Sequence, residues 1–162
     1  MDETIVNVYT DGSLVKKGKD VFCGYGIYFP NGEYKPISRK FTHEPITNNR
    51  AELYAILKTI IICNIINLQR IKENKKSIKV VNIYSDSEYS VKTFNVWLKN
   101  WVKLNKKYLN QDIIDEIKDH MDNASFEVKL THVRAHTGKN DPHSKANEIV
   151  DELAKKGAFR KK

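Results

Sequence analysis

Ile5-Val6-Asn7-Val8-Tyr9-Thr10-Asp11-Gly12-Ser13 is the stretch on which the fold turns. Its apolar and β-branched residues read as a buried strand from Thr4 to Thr10. An acid, a glycine and a serine follow at once, so Asp11 stands at the end of a hydrophobic run. The pattern returns at Ile83-Tyr84-Ser85-Asp86-Ser87, where Asp86 closes a second run. Two more acids lie on helix-like runs, Glu52 in Asn49-Arg50-Ala51-Glu52-Leu53 and Asp151 in Ile149-Val150-Asp151-Glu152-Leu153-Ala154. In an α/β domain, strand ends and helix faces can bring such residues into one pocket. Four carboxylates in one pocket do not all stay ionised unless cations neutralise them. That pattern points to divalent metal and phosphate chemistry.

Outward from the first strand, Val21 to Phe29 and Tyr34 to Thr42 read as two further strands. Gly12 and the segment Lys16-Lys17-Gly18-Lys19 turn between the first pair, and Pro30-Asn31-Gly32 makes the second hairpin. Thr47 or Asn48 can cap a long helix to about Lys72, with an apolar stripe of Leu53, Ile56, Leu57, Ile60, Ile61 and Leu68. Ile78 to Ser85 is a fourth strand and Phe126 to Val133 a fifth. Helical segments are expected from Glu88 to about Leu104, from Gln111 to about Met121, and from about Ser144 to Lys156. Gly157 reads as the stop of the last helix and residues 157–162 as a solvated tail. Three hairpin strands followed by helix, strand, helices, strand and helix define an α/β domain with a mixed sheet and helices on its faces.

A chain of 162 residues fits one domain able to bury roughly 70% of its unfolded surface. A composition of 40% hydrophobic and 30% charged residues is globular and excludes a disordered chain. Cys23 and Cys63 sit in apolar runs without metal-binding spacing and read as reduced core thiols. Their state suits a reducing compartment. The first residues have no leader character, and the apolar run Ile60-Ile61-Ile62-Cys63 is too short to span a bilayer. The expected localisation is therefore soluble and intracellular, in cytoplasm or nucleus. The formal net charge of +8 around an acidic pocket suits a polyanionic partner. Trp97 and Trp101 share one helix face among Lys92, Lys99, Lys103, Lys106 and Lys107, a setting for stacking and phosphate contact. His132, His136 and His143 fall on a strand and a loop without a nearby thiol, which disfavours zinc.

Taken in order, Tyr9-Thr10-Asp11-Gly12-Ser13, Thr47-Asn48-Asn49-Arg50-Ala51-Glu52, Tyr84-Ser85-Asp86-Ser87, His136-Thr137-Gly138, Asn147 and Asp151-Glu152-Leu153-Ala154 resemble type 1 ribonuclease H from residue 5 to residue 157. The resemblance implies the ribonuclease H-like fold, a five-stranded mixed sheet in order 3-2-1-4-5 flanked by helices. It implies an endonuclease that hydrolyses the RNA strand of an RNA–DNA hybrid with two Mg²⁺ ions, or Mn²⁺, leaving 5′-phosphate and 3′-hydroxyl ends. Asp11, Glu52, Asp86 and Asp151 would be the metal ligands and His136 a mobile proton shuttle, a role that His143 could also fill. Gly12, Ser13, Thr47, Asn48, Asn49, Trp101, Asn110 and Asn147 would contact substrate. Thr47 and Asn110 match a DNA-phosphate pocket whose occasional arginine has no counterpart at Glu44-Pro45-Ile46. Gly12 and Ser13 would let backbone approach the RNA.

The expected organisation is one catalytic domain over residues 1–162, monomeric, with no separate hybrid-binding domain. A related exonuclease would pair Asp and Glu on the first strand, and here Gly12-Ser13 follows Asp11. The alternatives are a catalytically silent hybrid-binding module and the nuclease domain of a reverse transcriptase.

Overall fold

Alternation of inward and outward residues makes β1 (Ile5–Lys17) the backbone of the molecule. Val6 and Val8 face one helical layer, while Tyr9 and Asp11 face the other. The structure, a computed structural model, describes residues 2–134 and 140–161. β1 pairs antiparallel with β2 (Asp20–Tyr28), from Tyr9↔Tyr28 through Asp11↔Gly26 to Lys17↔Asp20. The strand therefore does not end at Thr10. Asp-Gly-Ser reads locally as a turn, but Leu14 and Val15 resume the alternation and the ladder to β2 carries it on. The hairpin turn is only Gly18 and Lys19, with Gly18 at φ +60°.

β3 (Ile37–Lys40) is shorter than Tyr34 to Thr42, since Pro36 has no N–H to give a ladder. β4 (Val80–Ser85) lies parallel to β1, and β5 (Glu127–His132) parallel to β4. The sheet order is β3-β2-β1-β4-β5, the order implied by the resemblance, with β1 at its centre.

On the Val6 and Val8 face lies α1 (Asn48–Lys72), with α4 (Gln111–Asn123) packed against it. Thr47 is the cap of α1, accepting a bond from the Arg50 amide, so Asn48 is already the first helical residue. Packing against sheet and α4 together buries α1 on more than one side. Ala55, Thr59, Cys63 and Asn67 are therefore inside, while Leu68, expected in the apolar stripe, is 62% exposed. By length and composition α1 could cross a membrane, yet most of it is buried in this fold, including the polar Arg50, Glu52 and Asn67.

The opposite face is covered by α5 (Pro142–Ala158), which lies on β1, β2 and β3. Asp141 caps it through the Ser144 amide and Pro142 occupies its first turn, so it starts earlier than Ser144. Gly157 is inside the helix and does not stop it. A Cβ there would fall 2.5 Å from the Arg39 carbonyl oxygen, so glycine answers to helix–sheet contact. Nor is the end a loose tail, because Phe159 packs on Phe22 with ring centroids 5.0 Å apart.

The helix expected from Glu88 is broken into α2 (Glu88–Lys92), a π-helical turn (Thr93–Trp97) and α3 (Leu98–Lys103).

Candidate metal centre and nucleic-acid interface

Asp11 sits mid-strand at the centre of the sheet, and the residue after it has no side chain. A Cβ on Gly12 would lie 2.6 Å from the Glu52 backbone nitrogen, so glycine lets the first turns of α1 press against β1. That approach delivers Glu52. The Gly12 amide donates to Asp11 Oδ1 at 2.9 Å and also to Glu52 Oε1. Gly12 thus makes room for the α1 backbone on one side and also lines the cleft. Asp86 follows the last residue of β4. Ligand oxygens of Asp11, Glu52 and Asp86 lie within 4.8 Å of one another.

Asp151, on α5, lines the same cleft of about 360 Å³ but is not in that tight trio. Its carboxylate pairs with Lys155 on the next turn at 2.9 Å.

Asp11 and Glu52 are almost wholly buried. Burial, and then the Glu52, Asp86 and Asp151 charges, push the Asp11 carboxyl far above the usual carboxylate range. Burial also raises Glu52, to about 7, against the opposing pull of the hydrogen bonds it accepts. Glu52 Oε2 is buried without a hydrogen-bond partner among the described residues. A buried oxygen with no donor, beside the Asp11 and Asp86 carboxylates, suits a hard divalent cation.

The other residues expected at the site come from several elements. Asn48 and Asn49 are exposed in the first turn of α1 and line the cleft. Ser13 is buried in β1 opposite Gly24. Asn147 is buried in α5, its Oδ1 without a partner among the described residues. Asn110, left-handed at φ +62°, precedes α4 and donates from Nδ2 to Tyr89 Oη at 3.1 Å. Trp101 is half-buried, its ring stacked on Tyr108 at 5.1 Å and 6.0 Å from Trp97. Lys103, Lys106 and Lys107 are exposed beside it. His136 lies outside the described residues. His143 is in the first turn of α5, sharing a hydrogen bond between its Nδ1 and Tyr9 Oη.

Two neighbours are not foreseen by the sequence pattern. Arg50, 3% exposed, donates to Asp112 at 2.8 and 2.9 Å and reaches Asn110 Oδ1 at 3.5 Å. An arginine does therefore stand beside Asn110, coming from α1 and not from residues 44–46. An arginine flanked by helix-forming residues in Asn49-Arg50-Ala51-Glu52 was the available signal. Tyr108, the stacking partner of Trp101, had none beyond its aromatic character.

A central strand with an acid at its middle, an acid on the helix beside it, an acid past the next strand and a fourth on the covering helix define a ribonuclease H-like domain. The RNase H family model matches residues 3–159. An Acanthamoeba polyphaga mimivirus protein named "Probable ribonuclease H" is 38% identical over 85% of this chain and 58% of its own length. A Schizosaccharomyces pombe ribonuclease H is 33% identical over 93% of this chain and 52% of its own length. The solution structure of the PFV RNase H domain matches with a TM-score of 0.65 at 22% identity, covering 95% of this chain and 94% of that one, and shows the shared fold. The chain belongs to the ribonuclease H family. It spans little more than half the length of the two curated relatives described.

Proposed function

We propose that this chain is a metal-dependent endonuclease that cuts the RNA strand of RNA–DNA hybrids. The observation that carries the reading is the approach of Asp11, Glu52 and Asp86 oxygens within 4.8 Å, at the floor of a cleft shared with Asp151. Family membership supports it. In this reading Asp11, Glu52, Asp86 and Asp151 hold two divalent cations, Mg²⁺ or Mn²⁺. When bound, such cations supply an activated water and neutralise the leaving oxygen.

The chain's own residues do the rest. The Gly12 amide orients both Asp11 and Glu52, which fixes the donor oxygens before a cation arrives. Asn48 and Asn49, on the rim, present amide groups that can bond base edges and 2′-hydroxyls in a shallow minor groove. Thr47 and Asn110 form the seat for a DNA phosphate, with the buried Arg50 guanidinium bonded to Asn110 Oδ1 behind it. Trp101, backed by Tyr108, and the lysines around it hold the DNA strand by stacking and charge. His136 carries protons or assists product release.

The test is cleavage of a labelled RNA–DNA hybrid in Mg²⁺ and in Mn²⁺, beside single-stranded RNA, duplex RNA and duplex DNA. Cutting confined to the hybrid's RNA strand, and lost in Asp86→Asn, supports the reading. Binding of hybrid without cutting in either metal would replace it with a silent hybrid-binding module.

A further inference from the structure

Tyr9, Tyr84 and His143 form a cluster one level below the carboxylates. Tyr9 stands two residues before Asp11 on β1, and Tyr84 two residues before Asp86 on β4. The two residues are partners in the parallel ladder, and their rings stack at 4.9 Å. His143, from the first turn of α5, shares the hydrogen bond with Tyr9 Oη, and its ring centroid lies 4.7 Å from that of Tyr84. Tyr9 also packs under Ala146 and Val150 of α5. The elements that carry Asp11, Asp86 and Asp151 are therefore tied together at one point.

That point matters most for Asp151. Asp11 and Glu52 are both held by the Gly12 amide, whereas the ion-pair partner of Asp151 is a lysine of its own helix. Where Asp151 stands relative to Asp11 thus depends on where α5 sits along the sheet. The C-terminal half of α5 is seated by close backbone contact on Gly24 and Gly26 of β2 and by the Ser38 hydroxyl of β3, which donates to the Leu153 carbonyl at 2.6 Å. Its N-terminal end rests on the Tyr9–His143 bond and on apolar packing under Ala146 and Val150, which is non-directional. A hydrogen bond tolerates only a narrow range of distance and angle.

We propose that the Tyr9–Tyr84–His143 cluster is a positioning device that sets the register of α5 on the sheet, and so holds Asp151 against the Asp11 group. The proposal rests on the nuclease reading of the cleft. His143 is on this account a fixed anchor, which leaves the proton-shuttle role to His136.

The test uses Tyr9→Phe, His143→Ala, their double variant and His143→Asn. Tyr9→Phe keeps the stacked ring and removes only the hydroxyl. Mn²⁺ binding to the metal-free protein is measured by calorimetry, and kcat and KM on a hybrid beside it. Each single variant should weaken Mn²⁺ binding and lower kcat by ~10-fold, with KM nearly unchanged, since a misplacement of ~1 Å is enough to do so. The double variant should be no worse than the worse single, because both break the same hydrogen bond. His143→Asn, which keeps a polar atom near the Nδ1 position, should recover most of the loss.

Wild-type Mn²⁺ affinity and kcat in Tyr9→Phe would overturn the proposal. So would additive losses, or a lower melting temperature with metal binding and kcat intact. A wild-type protein that binds Mn²⁺ but cuts no hybrid would sink the nuclease reading alone, since the calorimetric comparison would still read the register of α5.

Discussion

Glu52 and Asp11 share one buried amide donor and face a third carboxylate, so their protonation is the property on which the site turns. Removing one charge from the trio should relieve the others. Asp86→Asn is expected to raise the metal-free melting temperature by a few degrees, roughly 2–4 °C per kcal/mol for a domain of this size, while cleavage is lost. Differential scanning in the presence of a chelator checks it, and a clear fall would mean the carboxylates do not repel.

The pH dependence has a definite sign. The folded, metal-free protein holds Glu52 protonated to about pH 7, whereas the unfolded chain releases that proton in the ordinary carboxylate range. The native state therefore binds more protons between those two values. Stability from this group is fully present below the lower value and is lost as pH rises through the upper one. The wild type should lose melting temperature across that window more steeply than Glu52→Gln, compared in chelator over a pH series. Equal slopes would mean that Glu52 does not titrate there.

At the scale of elements, hydrophobic period is enough to find all five strands and the long helices, because strands buried on both faces and amphipathic helices write themselves into apolar spacing. What it misses depends on partners distant in sequence. β1 runs through Asp11-Gly12-Ser13 because β2 pairs with it, overriding a local turn signal. Gly157 looks like a helix stop until Arg39 of β3 is seen against it. The π-helical turn at Thr93–Trp97 has no local signature, and Arg50 finds Asp112 only because α1 and α4 pack together. The three-carboxylate group is legible because each acid interrupts or directly follows a strongly apolar run. The register of Asp151 is not, since it depends on how a helix lies on a sheet.

Two element-scale outcomes follow. Gly12→Ala forces a methyl into the backbone of Ala51 and Glu52. It should cost ~1–3 kcal/mol of stability and lower cleavage further, by shifting Glu52. Denaturant titration beside hybrid cleavage measures both effects; unchanged stability with cleavage still lowered would mean that α1 retreats freely and takes Glu52 with it. Asp112→Asn leaves the buried Arg50 guanidinium facing a neutral acceptor, and should cost about 1–2 kcal/mol by the same titration.

The molecule as a whole is a basic body around an acidic cleft, with a formal net charge of +8. Replacing Lys103, Lys106 and Lys107 together should weaken hybrid binding and flatten the log–log salt dependence by roughly 2–3, about 0.7–0.9 for each phosphate no longer neutralised. Fluorescence anisotropy over a salt series checks this, and an unchanged slope would place nucleic acid elsewhere.

The seat of α5 has a temporal meaning too. Gly24 and Gly26 leave β2 bare, so that a Cβ on Gly24 would fall 2.1 Å from the Ala158 nitrogen. A ribosome delivers this bare strip early and its cover late. Until α5 emerges, the strip and Tyr9 stand open to whatever apolar surface is near, including that of other nascent chains. The cleft would have Asp11, Glu52 and Asp86 in hand and would wait for Asp151. The order of synthesis thus makes α5 the last element to join this fold, and crowding before it emerges is when the fold is most exposed to going astray.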